Sequence, residues 1–292
     1  MSIDKLQEKI RKIKNPSVID FSIQPGQLPP HISESEGDFL KAYGRFCREL
    51  LEGLSGIVPA VRFSFGLFSL MGSDGLLVLE QVLEMAKEKG YYIFLDAPEL
   101  LSAQNAAYAA DVLFSNSGRW YFDGLICTSY IGSDGLRPYV EKIKASDKDL
   151  FGVVRTANRS APELQDLLTG SRLVHMAKAD TVSRFAEPFA SRCGYSRVAA
   201  VAAASSADSL RTLRAKYKNL FLLLDGYDYP NANAKNCSYA FDKLGHGAAA
   251  CAGASVTAAW QTEEGDGWLY VEQAVSAAER MKKNLSRYVT VL

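Results

Sequence analysis

The chain has 292 residues, and its 33 Lys and Arg residues balance 33 Asp and Glu residues. A zero formal charge gives no global reason to expect nucleic acid or an anionic membrane as partner, and it favours a small molecule or another protein. No segment approaches the roughly 18 apolar residues that a membrane span needs. We therefore expect a cytoplasmic protein that binds neither nucleic acid nor membranes.

The cysteines and histidines argue against a metal or redox centre. The five cysteines are odd in number, scattered, and lack the close paired spacing of zinc or redox motifs; they are Cys47, Cys127, Cys193, Cys237 and Cys251. His31, His175 and His246 are isolated from one another in the sequence. We expect reduced, mostly buried thiols, no metal site and no cofactor.

Short apolar runs alternate with segments of helical periodicity, which is typical of parallel βα units. Eight strands are predicted, at residues 17–23, 57–64, 91–97, 124–130, 150–157, 197–204, 220–227 and 247–255. Eight is the number that closes a barrel. The prediction is a single-domain (βα)8 TIM barrel over residues 1–292 with a short N-terminal helix, and a doubly wound open sheet is the alternative. The sixth and eighth strands are rich in alanine, so neighbouring aromatics fill the space or a cavity remains.

Several intervening helices are well marked. One spans residues 38–54 with its apolar residues on one face, and another spans 76–89 and ends before Gly90. Residues 161–194 are too many for one helix, so two helical pieces are predicted there. The last helix is predicted from about residue 263 to 285, with a stripe through Trp268, Val271, Val275, Ala278 and Met281.

Several motifs carry a resemblance to a known family. They are KNPSV at residues 14–18, IVPAV at 57–61, AKEKG at 86–90, YIGSDGLRPYVE at 130–141, ELQDLL at 163–168 and GHGAAACAGASVTAAW at 245–260. In these segments, spread over nearly the whole chain, the protein resembles the orotidine 5′-monophosphate decarboxylases of the longer bacterial subfamily. These enzymes complete uridine monophosphate synthesis, and their fold is a (βα)8 barrel.

The resemblance also implies where the catalytic groups of that family would lie. An alternating Lys, Asp, Lys, Asp array performs the chemistry: one carboxylate crowds the substrate carboxylate, and an ammonium protonates the developing carbanion. These positions fall on Arg62, Asp96, Pro98 and Leu101, so only Asp96 is retained. A proline cannot donate a proton. Because losing one preorganised charge typically costs a factor of roughly 100 to 1,000 in rate, we expect no useful decarboxylation.

The phosphate-binding positions implied by the resemblance have changed as well. The loop after the seventh strand, a Pro-Gly-x-Gly-Ala-Gln-Gly-Gly run in the family, reads DGYDYPNA at residues 225–232. Asp225 and Asp228 therefore stand where a phosphate would approach. The family's phosphate-binding arginine falls on Ala254, and Gly253 alone survives in that loop. We expect phosphate affinity to be lost.

Two further replacements near the first two strands explain each other. The family's sugar-binding aspartate falls on Ser22, and the glycine two residues before it falls on Asp20. Alternate residues of a strand share a face, so Asp20 points inward like Ser22, and Arg62 is inward on the neighbouring strand. A buried charge requires a partner. The sequence therefore predicts an ion pair between Asp20 and Arg62.

Other polar residues at the predicted barrel mouth keep two interpretations. Arg155 and Asp225 are either ligand contacts or members of structural ion pairs. Asp96 is either a catalytic remnant or a polar residue that closes a strand. The loop at Tyr227, Asp228 and Tyr229 is either a site for a cationic or sugar-like ligand or an ordinary connection.

Three functions remain open at this point. The first is a catalytically inactive homologue with a structural or regulatory role, dimeric across a two-fold interface that buries Leu101. The second is a barrel with a changed small-molecule ligand or activity that uses Arg62, Asp96, Arg155, Asp225 and Asp228. The third is a genuine decarboxylase with a lysine elsewhere, but Lys178, Lys218 and Lys235 fall on predicted helices or loops outside the strand ends.

Overall fold

A computed structural model describes residues 2–98, 104–115, 118–262 and 266–292. Eight parallel strands form a closed barrel in the order β1-β10-β9-β8-β5-β4-β3-β2. They are β1 (Ser17–Asp20), β2 (Ala60–Ser64), β3 (Tyr92–Asp96), β4 (Gly124–Thr128), β5 (Asp149–Val153), β8 (Val198–Ala203), β9 (Leu222–Asp225) and β10 (Ala248–Ala252). The predicted (βα)8 barrel is confirmed, and the open sheet is wrong.

All eight predicted strands exist, and each is shorter than the apolar run that predicts it. The second strand begins at Ala60 because Pro59 before it has no N–H group to donate to the ladder. The fifth is predicted to reach residue 157 but ends at Val153. Apolar residues beyond the strand ends, such as Val154 after β5 and Phe221 before β9, are buried in connecting segments at both ends of the barrel, where burial continues after strand pairing stops.

The helices fill the connections between strands. They are α1 (Ser2–Ile13), α2 (Pro30–Glu36), α3 (Phe39–Gly53), α4 (Phe65–Leu70), α5 (Gly72–Glu88), α6 (Ala106–Leu113), α7 (Ser133–Ile143), α8 (Pro162–Gln165), α9 (Val174–Ala186), α10 (Ala207–Lys216), α11 (Ala234–Ser238), α12 (Ala254–Thr257) and α13 (Tyr270–Ser286). Asp38 caps α3 by accepting the Lys41 backbone N–H. Gly90, with a φ of 77°, follows α5 as predicted. Helix α5 starts at Gly72, four residues before the predicted start.

The start of the last helix was predicted too early. Helix α13 begins at Tyr270, and residues 263–265 lie outside the described part of the chain. Trp268 therefore does not join the apolar stripe of this helix: it is 65% exposed and stacks on His31, with 4.0 Å between ring centroids. The predicted start was wrong because Trp268, an exposed residue, lies in helical register with the buried residues that follow it.

The connection between β5 and β8 contains the two predicted helical pieces, α8 and α9. It also contains a short antiparallel hairpin, β6 (Leu168–Thr169) with β7 (Arg172–Leu173), which the sequence pattern did not predict. Gly170, with a φ of 65°, forms its turn. Two-residue strands are too short to show an alternation of polar and apolar residues, so periodicity could not identify them.

Aromatic rings lie beside the alanine-rich strands. Phe151 pairs in register with Ala199 of β8, and its ring centroid lies 4.9 Å from that of Phe94 and 6.2 Å from that of Phe221. Gly124 is required by this packing, because a Cβ atom there would lie 2.9 Å from the Phe151 ring. Of the two sequence alternatives, the structure supports aromatic filling next to the small residues.

Helix α1 packs against the lower rim, at the amino ends of the strands. Asp4 Oδ1 accepts the Cys193 backbone N–H at 2.8 Å, and Gln7 Oε1 accepts that of Gly247 at 3.1 Å. Ser2 Oγ donates to the Asp123 carbonyl at 3.3 Å. These contacts confirm the predicted position of the N-terminal helix. Across the described residues, none of the helices combines the length and the apolar character that crossing a bilayer demands.

Candidate functional site

Charged residues gather at the opposite end of the barrel, the mouth formed by the carboxyl ends of the strands. Asp20 ends β1 and pairs in register with Arg62 of β2, while Asp96 ends β3 and Asp225 ends β9. Because the strands are parallel, these four positions lie at the same end of the barrel. Active sites of (βα)8 barrels lie at this face, so this cluster is the candidate site.

The Arg62 guanidinium holds the cluster together. Its Nη2 lies 2.6 Å from Asp20 Oδ2, and its Nη1 lies 2.7 Å from Asp225 Oδ1. Burial by itself lowers the Arg62 pKa, but the carboxylates of Asp20 and Asp225 outweigh it and raise that pKa above its ordinary value. Arg62 is therefore a permanent cation. The predicted pair with Asp20 is confirmed, and Asp225 is a second partner that the sequence left open.

Asp96 is the third carboxylate of this group. Its Oδ2 lies 3.9 Å from Arg62 Nη1, so one guanidinium faces the carboxylates of three aspartates. The sequence argument that Asp20 and Arg62 neutralise each other is therefore incomplete, because the mouth keeps an excess of negative charge. Leu101, the other position compared with the family's aspartates, lies outside the described residues.

Ser22 is committed to the same network. Asp20 Oδ1 accepts the Ser22 hydroxyl at 2.8 Å and the Ser22 backbone N–H at 3.1 Å. Asp20 thus uses one oxygen for Arg62 and the other for Ser22, and its acceptor atoms are both occupied. The turn also ends β1 at Asp20, three residues before the predicted end of that strand.

The loop after β9 contacts the loop after β10 through a carboxylate. Asp228 Oδ2 accepts the backbone N–H groups of Gly253 at 2.7 Å and Ser255 at 3.3 Å, and Oδ1 accepts the Ser255 hydroxyl. Ala254 between them has no polar side chain. Gly226 lets the chain turn, since its φ is 75° and a Cβ atom there would lie 2.4 Å from Ala157 Cβ.

Arg155 is a member of a structural ion pair. Its Nε and Nη2 donate to the two oxygens of Asp166 at 3.0 and 2.8 Å. His175 lies on the other side of this pair, with Nδ1 3.1 Å from Asp166 Oδ1 and Nε2 3.2 Å from Ser209 Oγ. The network joins the β5 loop to α8, α9 and α10. Nothing in the sequence spacing indicated that Asp166 and His175 would meet Arg155.

The thiols near the mouth do not supply a nucleophile. Burial raises the pKa of Cys251 well above its ordinary value, and it raises the pKa of Cys127 as well. Tyr227 is half-buried, and burial raises its pKa to about 12. Tyr229 is 48% exposed. The two thiols and the Tyr227 phenol stay protonated near neutral pH. The described residues contain no group of three or more His, Cys, Asp or Glu that could hold a metal.

The lysines considered in the sequence lie on helices or loops, and not on the barrel strands. Lys178 belongs to α9 and lies 5.6 Å from the centroid of the Tyr130 ring, and Lys235 belongs to α11. Lys218 lies between α10 and β9, at the lower end of the barrel. Within the described residues, no lysine forms an ion pair with Asp20, Asp96 or Asp225.

Comparisons with known proteins point to one group of enzymes. No family model matches the chain. It is 27% identical over 245 residues to an orotidine 5′-phosphate decarboxylase of Rhodopirellula baltica, covering 82% of this chain and 81% of that protein. It is 24% identical over 288 residues to the orotidine 5′-phosphate decarboxylase of Clostridium acetobutylicum, covering 98% of this chain and 99% of the other.

Solved structures share the fold. A putative orotidine monophosphate decarboxylase from Toxoplasma gondii matches with a TM-score of 0.80 at 19% identity, over 98% of both chains. A putative orotidine 5′-phosphate decarboxylase from Streptomyces avermitilis matches with a TM-score of 0.77 at 21% identity, over 99% of this chain and 95% of that one. The chain is thus similar in sequence to orotidine 5′-phosphate decarboxylases and shares the barrel fold of the solved structures.

Proposed function

We propose that this protein is a catalytically inactive relative of orotidine 5′-phosphate decarboxylase that has been retained for a structural or regulatory role. The observation that carries the proposal is that the charged side chains of the mouth are paired with groups of the protein itself. Arg62 is bound between Asp20 and Asp225, and Asp228 occupies the backbone donors of Gly253 and Ser255. A phosphorylated substrate would have to displace one carboxylate and approach several others.

The chemistry of the replaced positions supports the same proposal. The resemblance places Pro98 at the proton-donating lysine, and a proline side chain has no proton to transfer. Arg62 stands at the other lysine position, but its raised pKa makes it a poor acid. Remote phosphate binding is what offsets the cost of desolvating a reacting carboxylate in such enzymes. A chain without the phosphate-binding arginine, with Ala254 in its place, lacks that source of binding energy.

A decarboxylation assay with orotidine 5′-monophosphate tests the proposal. The relative from Clostridium acetobutylicum serves as the active control under the same conditions. We expect a rate at least 10,000-fold below that control, because the proton donor and the phosphate ligands are absent together. Turnover comparable to the control would overturn the proposal and establish the genuine decarboxylase alternative.

A changed ligand or activity at the mouth remains the second candidate. It is favoured by the excess of carboxylates over the single Arg62 guanidinium, which suits a cationic or polyhydroxylated molecule. Asp225 and Arg155 are less available for it than the sequence allowed, because both are held in ion pairs. A ligand that raises the melting temperature of the protein, but not that of an Asp96→Asn variant, would favour this candidate.

Dimerisation is part of the proposal. The expected two-fold interface includes Leu101, which lies outside the described residues, so the expectation rests on the resemblance and on the apolar character of that side chain. Sedimentation at micromolar concentration should give the mass of a dimer. A Leu101→Asp variant should sediment as a monomer, and a wild-type protein that is already monomeric would contradict this part.

A further inference from the structure

A second concave region lies at the floor of the barrel, remote from the mouth. It has a volume of about 740 Å³, within the range of roughly 300 to 1,000 Å³ that is usual for small-molecule sites. Its walls include Asp123 just before β4, Lys148 just before β5 and Arg197 just before β8. The amino ends of three barrel strands therefore meet there, next to helix α1.

Positive charge predominates in this floor cavity. Six basic side chains line it against three acidic ones; the basic ones are Lys5, Lys87, Arg119, Lys144, Lys148 and Arg197. The acidic side chains are already satisfied or exposed. Asp123 accepts the Tyr121 hydroxyl at 3.1 Å and the Ile93 backbone N–H at 3.0 Å, Glu84 pairs with Lys87 at 2.8 Å, and Asp147 is exposed.

The Lys148 ammonium is incompletely compensated. Its Nζ donates to the Leu113 carbonyl at 2.9 Å and lies 3.8 Å from the centroid of the Phe122 ring. Among the ion pairs of the described residues, none involves Lys148. Burial lowers its pKa to about 8, and the Asp123 carboxylate on the same cavity wall offsets only part of that effect. A bound anion would supply the missing partner.

Arg197 adds a directional donor to the same cavity. Its Nη2 donates to the carbonyls of Ser146 and Lys148, at 2.5 and 2.6 Å, and its Nε lies 3.4 Å from Asp149 Oδ1. The side chain is 8% exposed, so its position is firmly set. Within the described residues Nη1 has no hydrogen-bond partner, and it is not among the fully enclosed polar atoms. A held guanidinium with a spare N–H suits a phosphate oxygen.

We propose that the floor cavity binds a phosphorylated small molecule of about nucleotide size, through the Lys148 ammonium and the spare Nη1 of Arg197. Lys5 and Lys144 at the rim add positive potential, and neither has an ion-pair partner among the described residues. Cationic side chains from several separate elements surround the cavity. They suit a phosphate group, which has several charged oxygens, better than a ligand with a single carboxylate. The side chains of Trp120 and Tyr121 on the cavity wall offer a surface for the organic part. This site is independent of activity at the mouth.

Calorimetric titration with adenosine monophosphate and, separately, with inorganic phosphate tests the proposal. We expect the nucleotide to bind at least ten-fold more tightly than inorganic phosphate. Lys148→Met should weaken nucleotide binding by about 10- to 100-fold, the loss expected for one charge-assisted hydrogen bond. Lys148→Arg should restore most of it. Lys142→Met is the matched control, because Lys142 belongs to α7 nearby but pairs with Asp111 outside the cavity.

Each outcome of these titrations either supports or contradicts the proposed site. Binding that Lys148→Met abolishes and Lys142→Met leaves intact supports the site. No binding of either probe at 1 mM, or binding indifferent to Lys148→Met, overturns it. Binding of inorganic phosphate with exclusion of the nucleotide overturns the assignment of an organic ligand. A variant with Trp260→Phe and Trp268→Phe retains Trp120 as its one tryptophan. Quenching of its fluorescence by the ligand gives a second readout that does not depend on the enthalpy of binding.

Discussion

Asp228 and Gly253 join two consecutive loops of the barrel mouth, since the Asp228 Oδ2 atom accepts the Gly253 backbone N–H at 2.7 Å. The same carboxylate accepts the Ser255 backbone N–H at 3.3 Å. A carboxylate of the protein itself thus accepts hydrogen bonds from two N–H groups that would otherwise face solvent or a ligand. The loops after β9 and β10 are held together by this one side chain.

Replacing Asp228 should loosen both loops. Asp228→Ala leaves the Gly253 and Ser255 amides without their acceptor, so their hydrogen exchange should accelerate while exchange in the barrel strands is unchanged. The cost in global stability should be small, about 1 kcal/mol, because the contact is exposed to water. Asp228→Asn retains one acceptor oxygen and should give intermediate exchange rates. Unchanged exchange at both amides in Asp228→Ala would show that this contact does not order the loops.

Removing the Arg62 cation should lower the free energy of unfolding more than removing one of the carboxylates paired with it. Arg62→Met leaves several carboxylates facing one another, which should cost on the order of 3 to 5 kcal/mol. Asp20→Ala alone should cost less, about 1 to 3 kcal/mol, because Asp225 still pairs with Arg62. Urea unfolding measures both values.

A multiple-mutant cycle tests the coupling in this cluster. The Asp20→Ala and Arg62→Met double variant should recover part of the Arg62→Met loss, and adding Asp225→Asn should recover more, since fewer unpaired carboxylates remain. Asp208→Ala is the control, because its pair with Arg211 is on the surface, with Asp208 96% exposed, and should contribute little. Strictly additive losses through the series would show that the ion pairs are not coupled.

Uridine monophosphate should not stabilise the protein through the mouth. Stabilisation by a ligand requires affinity for the native state, and the resemblance places the carboxylates of Asp225 and Asp228 where the phosphate would approach. We expect no rise in melting temperature at sub-millimolar ligand in a Lys148→Met background, which removes the floor cavity as a source of binding. The Clostridium acetobutylicum relative should show a clear rise under the same conditions.

The pair of Arg155 and Asp166 should make stability depend on pH at the acidic end. The hydrogen bonds from Arg155 lower the pKa of Asp166 below its ordinary value, despite the opposing effect of burial. The contribution of this carboxylate is therefore fully present above about pH 4, the unfolded-state value, and is lost as pH falls through the lower folded-state pKa. The stability difference between wild type and Asp166→Asn should shrink as pH falls below 4. Leu164→Ala, an exposed change on α8, should show no such trend.

Anion binding in the floor cavity should weaken above about pH 8. The Lys148 ammonium has a pKa lowered to about 8 by burial, and the buried Asp149 carboxyl has a pKa raised to about 8 by burial. Both groups lose a proton as pH rises through 8. Lys148 then loses its positive charge on the cavity wall, and Asp149 gains a negative charge 3.4 Å from Arg197 Nε. The other charged groups that face Lys148 are Lys5, Glu84, Lys87, Arg119, Asp123, Lys144, Asp147 and Arg197.

Titrations with adenosine monophosphate at pH 6.5, 7.5 and 9 check this dependence. Affinity should be similar at the first two values and several-fold weaker at pH 9. Lys148→Met should show a smaller decrease, because only the Asp149 ionisation remains. Equal affinity at pH 7.5 and 9 in the wild type would contradict a role for these two groups.

Local sequence pattern was sufficient to predict the barrel. Eight apolar runs alternating with helical periodicity leave few ways to bury every strand on both faces, and closure is the arrangement that leaves no exposed edge. Strand alternation, together with the inward positions that the family resemblance implies for Ser22 and Arg62, predicted that Asp20 and Arg62 would both point inward. Since unpaired charges in an interior are costly, their pairing followed from these positions and elementary electrostatics.

The remaining contacts depended on the tertiary structure. Asp225 joins Arg62 although 163 residues separate them in sequence, and Arg155 pairs with Asp166, the C-cap residue of α8. The floor cavity depends on residues at the amino ends of β4, β5 and β8, whose approach is set by strand order in the closed barrel. Periodicity reports which face of an element is buried, but it does not report which distant side chain lies opposite, because that depends on how the elements pack.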